Sequence, residues 1–539
     1  VDDFAEALIA ELTKVETHYG ALFEALPEPP EAVPSLVLPS DEADPAALAG
    51  LERMGFANPQ AAIAAVRAWQ SGRYAATRSE RARERLGAFL PSLLDAFSRT
   101  TDPDLALSTF NKVVADMPAG VQLFSLLAAN PSLTRLVADI MGTAPRLAAI
   151  LARRPRLLDA VLDPGFFGAV PTPDKLKEIV GGALGEARDY QEALDRARMV
   201  GREQGFLIGV RVISGTITPL QAGLAYATLA ETLIGTLARR VEAELVQQYG
   251  HLPDGKVAVL AMGKLGGREM TAASDLDLIT VYDFAGDVTQ SDGPKSLPGS
   301  QYYTRFTQRL IAALSAQTAE GSLYQVDMRL RPSGNQGPVA TRLKSFIDYQ
   351  NSSAWTWEHL ALTRARVVSG PIELRRQIDS VIADVLLRQR DRAQVAADVR
   401  TMRAKIEAEK GTRDIWDLKH VRGGLIDVEF LTQFLQLIHA HEHPDVLDQN
   451  TAGALSKLLQ AGVITLADAE ILTPAATLYH ALTQCLRLCL DKPFVPEEAP
   501  KALKDLLARS ANMPDFPTLE AMLKDTLANV HDAFERMVR

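Results

Sequence analysis

The segment that most constrains this chain is Gly263-Lys-Leu-Gly-Gly267, followed by Ser274-Asp-Leu-Asp-Leu278. It is flanked by Lys256-Val-Ala-Val-Leu-Ala261 and Leu276-Asp-Leu-Ile-Thr-Val-Tyr282, both apolar and rich in β-branched residues, so each is predicted as a buried strand next to a turn. Side chains alternate along a strand with a period of two, which puts Asp275 and Asp277 on one side, where they can share a metal. Hard carboxylate oxygens in a small site favour magnesium, which keeps some waters and takes its other ligands from substrate phosphates. Gly263, Gly266 and Gly267 lack a Cβ, so backbone N–H groups can approach phosphate oxygens, and Ser274 adds a further donor. The spacing is not that of a P-loop, whose lysine follows the second glycine and precedes the hydroxyl residue, and there is no Gly-x-Gly-x-x-Gly. Taken alone, the two acids also fit an exposed strand end after a tight turn.

A second run, Ser322-Leu-Tyr-Gln-Val-Asp-Met-Arg-Leu-Arg331, alternates as a strand and is predicted to place Asp327, Arg329 and Arg331 on one face, opposite Tyr324, Val326, Met328 and Leu330. Unpaired charges on a half-buried face cost several kcal/mol, so that face needs a reason. A metal-triphosphate site supplies one, with Asp327 as third carboxylate and the arginines clamping phosphates. The alternative is that Asp327 pairs with Arg329 or Arg331 at a sheet edge.

Composition narrows the function classes. The net charge is −10, from 57 basic and 67 acidic residues, which lacks the basic surplus that meets a phosphate backbone. That argues against nucleic acid as partner and favours a protein substrate. No uninterrupted apolar run is long enough to cross a bilayer, and no charged-then-apolar leader opens the sequence, so no membrane partner and a cytoplasmic location are expected. Cys485 and Cys489, at i, i+4 on one helix face, read as buried small hydrophobes. His439, His441 and His443 alternate, which on a helix points the rings apart and suits a solvent-exposed helix end better than zinc.

The organisation reads as helix, mixed, then helix. Phe4 to Leu26 has a helical period and ends in the proline-rich Pro27–Pro34; residues 46 to about 165 are alanine- and leucine-rich without a convincing strand; long helices follow from Leu176 to Tyr249. Val339 to Phe346 is a further possible strand, Ser353 to Arg366 is predicted helical, and so is Glu373 to Arg539, broken at Gly411, Gly423-Gly424 and Pro493 to Pro500.

Gly263 to Leu278, Val326-Asp-Met-Arg-Leu-Arg-Pro-Ser-Gly334, Trp355-Thr-Trp-Glu-His with Leu362-Thr-Arg-Ala-Arg366, and Asp417-Leu-Lys-His-Val-Arg-Gly-Gly-Leu-Ile-Asp-Val-Glu-Phe430 together resemble the bacterial glutamine synthetase adenylyltransferase family. The resemblance spans essentially the whole chain. It implies an α+β, predominantly helical fold with a DNA polymerase β-like nucleotidyltransferase domain and a small mixed sheet. All-α linker and C-terminal helical bundle domains would flank it. The expected domains are 1–34, the end helix of a preceding domain with a proline-rich linker; 35–165, a helical regulatory linker; 166–370, the catalytic domain; and 371–539, the helical domain.

The family enzyme has two homologous halves, one attaching AMP to glutamine synthetase and one removing it. The Trp355–Arg366 segment is similar to the attaching half, and a single catalytic set occurs here. The resemblance therefore implies transfer of AMP from ATP to a tyrosine of glutamine synthetase. Asp275, Asp277 and Asp327 would be the catalytic metal ligands for Mg2+. Lys264, Arg329 and Arg331 would bind the β- and γ-phosphates beside Gly263, Gly266, Gly267 and Ser274. PII signalling protein and glutamine are the implied regulators. Alternatives left open are the AMP-removing half, a PII uridylyltransferase and a nucleotide-sensing module without catalysis. Trp355 and Trp357 lie near the nucleotide or are packing anchors. Lys419 and Arg422 are possible phosphate ligands, and Asp427 and Glu429 are expected to pair locally.

Overall fold

The computed structural model describes residues 45–100, 102–154, 157–161, 166, 170–286, 290–490 and 492–539. The expected helix Phe4–Leu26 and the proline-rich stretch after it lie outside these residues. The chain divides into two compact units, Val1–Leu162 with Pro500–Ala502, and Asp163–Ala499 with Leu503–Arg539.

The first unit is helical, with no strand among its described residues. Its helices start where the sequence supplies caps: the side chains of Asn58, Ser79 and Asp102 accept from the backbone N–H of Ala61, Ala82 and Leu105, and Pro59 and Pro103 open the helices that follow. Trp69, Phe97 and Phe110 are fully buried, and both Trp69 and Phe97 meet Phe110 edge-on at 5.6 Å.

The second unit holds the sheet. The 31-residue helix Pro219–Tyr249 is opened by a Thr218/Gln221 capping box and ends at Gly250, whose φ is 78°. It packs on helix Tyr190–Ile213 and lies against the sheet. Strand β1 (Lys256–Ala261) runs antiparallel to both β2 (Leu276–Asp283) and β5 (Arg366–Ser369). On the far side of β2, β3 (Val326–Asp327) and β4 (Ala340–Arg342) pair with it in parallel. The helix Gly299–Ser315 makes the crossover from β2 to β3 that a parallel pair needs. Val257 through Ala261 are all buried, as expected of a strand covered on both faces. The predicted α+β class, mostly helical around a small mixed sheet, is therefore what the chain adopts.

Three local expectations are corrected. The predicted strand over residues 322–331 shrinks to Val326–Asp327. The Arg329 N–H turns inward to Asp327 Oδ1 (2.8 Å) instead of pairing with a neighbouring strand, and left-handed Ser333 (φ 62°) and Gly334 (φ 54°) reverse the chain. Arg329 is consequently exposed while Arg331 is buried, so the two do not share a face. The helix expected over Ser353–Arg366 stops at Leu362 and gives way to β5, whose signal is Val367-Val368 ahead of Gly370-Pro371. The possible strand at Val339–Phe346 is β4, but it ends at Arg342, where a helix starts.

From Ile372 the unit is helical, with long helices Arg392–Lys410, Leu425–His439, Leu466–Cys489 and Phe516–Met537. Cys485 and Cys489 are buried free thiols, and burial pushes Cys485 up to about 11. The histidine run straddles the end of helix Leu425–His439, with His441 and His443 exposed. Trp355 is 69% exposed and is no packing anchor.

Candidate active site at the end of the sheet

Where β1 ends, Met262 donates its N–H to Asp277 O (2.9 Å), and the chain turns through Gly263 with φ +53°. A Cβ on Gly263 would lie 2.3 Å from Asp277 Oδ2, so glycine is required both by the turn and by the carboxylate beside it. Asp277 lies in register with Asp327 on the parallel strand β3. Asp275 is exposed and precedes β2 by one residue, so strand alternation does not govern it.

The acids feel one another. Burial, then Asp327 and Asp275, push Asp277 from its ordinary 3.8 up to about 6, against the pull of Lys419 and Arg364. Asp327 moves the other way because Arg329 hydrogen-bonds it, with Nε 2.8 Å and Nη2 2.5 Å from Oδ2. The ion pair foreseen as the alternative reading of Asp327 is thus present. Arg331 is turned into its own loop, donating from Nη1 to Met328 O (2.8 Å) and from Nε to Gly337 O (3.3 Å).

The donor chemistry suits magnesium, since all three acids offer hard oxygens. The arrangement is less ready: among the described residues no three His, Cys, Asp or Glu side chains are gathered to hold a metal, and Asp327 lies in the fork of Arg329. The expected convergence of three acids on an ion is therefore not what this structure displays.

The glycine-rich turn has a second neighbour. A Cβ on Gly266 would fall 1.9 Å from Arg364 O, and one on Gly267 would fall 2.5 Å from Arg364 Nη2, so both are glycine because the entry to β5 crosses over them. They were expected to admit phosphate; here they admit Arg364. Ser274 is likewise engaged, its Oγ accepting the Thr271 N–H at 2.9 Å. Lys264 is half-buried beside the turn. Burial lowers it to about 8, and Lys419, Arg487 and Arg364 push the same way while Glu429 opposes them.

Sequence reading missed Glu269. It is 4% exposed, is paired with Arg364, accepts the Thr451 N–H at 2.7 Å and lies 3.7 Å from His480 Nε2. Burial raises its pKa, but Arg364, His480 and Thr451 outweigh that and hold it below the ordinary carboxylate range. Arg364 also donates from Nη1 to Glu429 Oε1 (2.8 Å). Two further bonds, Asn450 Nδ2 to Gly267 O (3.1 Å) and Gln484 Nε2 to Met270 O (2.7 Å), fasten the loop after the glycines to the helices beyond residue 450. Glu429 and Asp427 were expected to pair locally; Asp427 does accept the Gly423 N–H at 2.5 Å and lies 3.9 Å from Arg422, but it also pairs with Arg403 on another helix, and Glu429 pairs with the distant Arg364. Arg422 lies 3.1 Å from Glu407 and is turned to acids, not outward as a free cation.

This geometry belongs to a chain with clear relatives. A family model described as glutamate-ammonia ligase adenylyltransferase matches residues 134–381, and one described as GlnD PII-uridylyltransferase matches residues 400–538. Both names denote nucleotidyl transfer. Over 538 residues the chain is 49% identical to the bifunctional glutamine synthetase adenylyltransferase/adenylyl-removing enzyme of Xanthobacter autotrophicus, and over 537 residues it is 45% identical to that of Rhodopseudomonas palustris; both alignments cover 100% of this chain and 54% of the relative. The chain belongs to this family of glutamine synthetase adenylyltransferase/adenylyl-removing enzymes, and it spans about half the length of the curated relatives it matches.

Proposed function

We propose that this chain transfers AMP from ATP to a tyrosine hydroxyl of glutamine synthetase, releasing pyrophosphate and lowering glutamine synthesis. The observation that carries the reading is the pairing of Asp277 and Asp327 in register beside the Gly263 turn and the half-buried Lys264. Acids for a metal and a cation for phosphates thus stand at one sheet end. The domain is proposed to be of the polymerase β-like type, over residues 166–370, with a regulatory linker over 35–165 and a helical domain over 371–539.

In this reading Asp275, Asp277 and Asp327 hold magnesium, which when bound would neutralise charge on the triphosphate and make the attacking hydroxyl more acidic. Arg329 must then release Asp327, and its exposed guanidinium becomes available to a phosphate. Lys264 faces the β- and γ-phosphates. Arg331 acts indirectly by holding the loop that carries Arg329. Asp327, once released by Arg329, is the proposed acceptor of the hydroxyl proton. A tyrosine hydroxyl ordinarily ionises near pKa ~10, so its proton must be taken in the transition state. PII protein and glutamine are proposed effectors, and the cytoplasm the proposed location; no helix among the described residues is long and apolar enough to cross a membrane.

The test is mass spectrometry of glutamine synthetase after incubation with the chain, ATP and magnesium. A tyrosine bearing AMP is expected. ADP released from adenylylated glutamine synthetase and phosphate would assign the removing activity instead, and UMP on PII would assign the uridylyl reaction. Asp277→Asn should abolish transfer; undiminished transfer by that variant would remove Asp277 from its role.

A further inference from the structure

The turn before helix Leu425–His439 is braced more heavily than a connector needs. Leu425 N donates to Leu418 O at 2.7 Å, Tyr479 OH to Gly423 O at 2.8 Å, and Gly423 N to Asp427 Oδ2 at 2.5 Å. Arg403, 1% exposed, pairs with Asp427 and donates from Nη2 to His420 O (3.2 Å). On this fixed turn stands Lys419, exposed, next to His420.

The turn is also tied to the nucleotide side of the sheet. Glu429, on the second turn of the helix it opens, takes Arg364 at 2.8 Å; Arg364 takes Glu269, and the Glu269 N–H donates to Lys264 O at 2.8 Å. Two ion pairs thus connect the backbone beneath Lys264 to the helix that follows Lys419. Neither ammonium has an ion-pair partner among the described residues. Ile426 donates its N–H to Lys419 O at 3.4 Å, one helical turn before Glu429, and the charge of Lys419 helps to depress Lys264. Glu429 favours the Lys264 ammonium but is itself paired with Arg364 at 2.8 Å, and the like charges left over are unfavourable in isolation and favourable around a polyanion.

We propose that Lys419 binds the polyphosphate of a nucleoside triphosphate jointly with Lys264, so that the nucleotide site is completed by the helical segment and not by the sheet alone. This rests on the nucleotidyl-transfer reading above. Arg364 is a positioning residue in this arrangement, fixing the distance between the two lysines without touching the nucleotide. Lys419 is exposed and outside the ion-pair network, so its replacement leaves the fold intact.

Calorimetry on the full chain in magnesium, with α,β-methylene ATP and with AMP as ligands, tests this. Lys419→Gln should weaken the triphosphate analogue by about tenfold or more, AMP by no more than about threefold, and Lys419→Arg should recover most of the loss, because the missing contact is a charge on the distal phosphates. An unchanged analogue affinity in Lys419→Gln, or an equal loss for AMP, would overturn the proposal while leaving the nucleotidyl-transfer reading intact. A wild-type chain that binds no triphosphate would overturn that reading and this proposal together.

Discussion

Asp277→Asn should make the protein more stable while destroying its activity. Asp277 is half-buried between two other acids, and the rise from 3.8 to about 6 means its ionised form costs roughly 3 kcal/mol at neutral pH. The sign follows from linkage. The folded state holds the Asp277 proton more tightly than the unfolded state, so the favourable contribution is complete below pH 3.8 and is lost as pH rises through about 6. Asparagine has no proton to lose. Urea unfolding in the presence of a chelator should therefore show the variant ahead of wild type by roughly 2–3 kcal/mol at pH 7.5, a gap that shrinks by about 1–2 kcal/mol at pH 5. Magnesium should narrow the gap at pH 7.5 by stabilising wild type alone. A variant less stable than wild type, or a gap independent of pH, would refute the claim that burial and the neighbouring acids raise Asp277.

Three further outcomes are expected. Arg364→Met leaves Glu269 and Glu429 facing each other in a buried site, and a loss of about 3–5 kcal/mol should appear in denaturant unfolding. Gly266→Ala puts a methyl group 1.9 Å from Arg364 O, and the forced backbone shift should cost about 1–3 kcal/mol by the same assay and lower kcat/KM together with it. Lys264, lowered to about 8, carries its charge below that pH and loses it above, so kcat/KM for ATP should fall on the alkaline side near pH 8; Lys264→Arg should move that limb upward by at least a unit, read from a pH–rate profile.

The two long strands were legible because Lys256–Ala261 and Leu276–Tyr282 are apolar runs cut off by glycine and charge, and a buried strand needs nothing more to declare itself. The segment after Asp327 misled for a local reason. Its alternation predicts a strand, yet a carboxylate can capture the N–H two residues on, and that Asx-type bond at Arg329 ends the pairing. Glycine counted correctly as a constraint at Gly266 but for the wrong neighbour, since Arg364 lies 98 residues further along and no short window holds both. Glu269 was illegible for the same reason: its partners Arg364 and Thr451 are 95 and 182 residues away. Asp275, Asp277 and Asp327 could be picked out by type and spacing, and an arginine partner for Asp327 was foreseen, whereas the choice of Arg329 over Arg331 required the turn.

The loop that follows the glycines takes hydrogen bonds from Asn450, Thr451 and Gln484, all of them far beyond the last strand. A protein shortened after β5 would keep every strand of the sheet and still lose the scaffolding around its turn, with a carboxylate and two carbonyls stranded at a newly wetted surface. The sheet is accordingly not a portable cassette. Grafting it, swapping it between relatives or producing it alone calls for carrying the distant helices along.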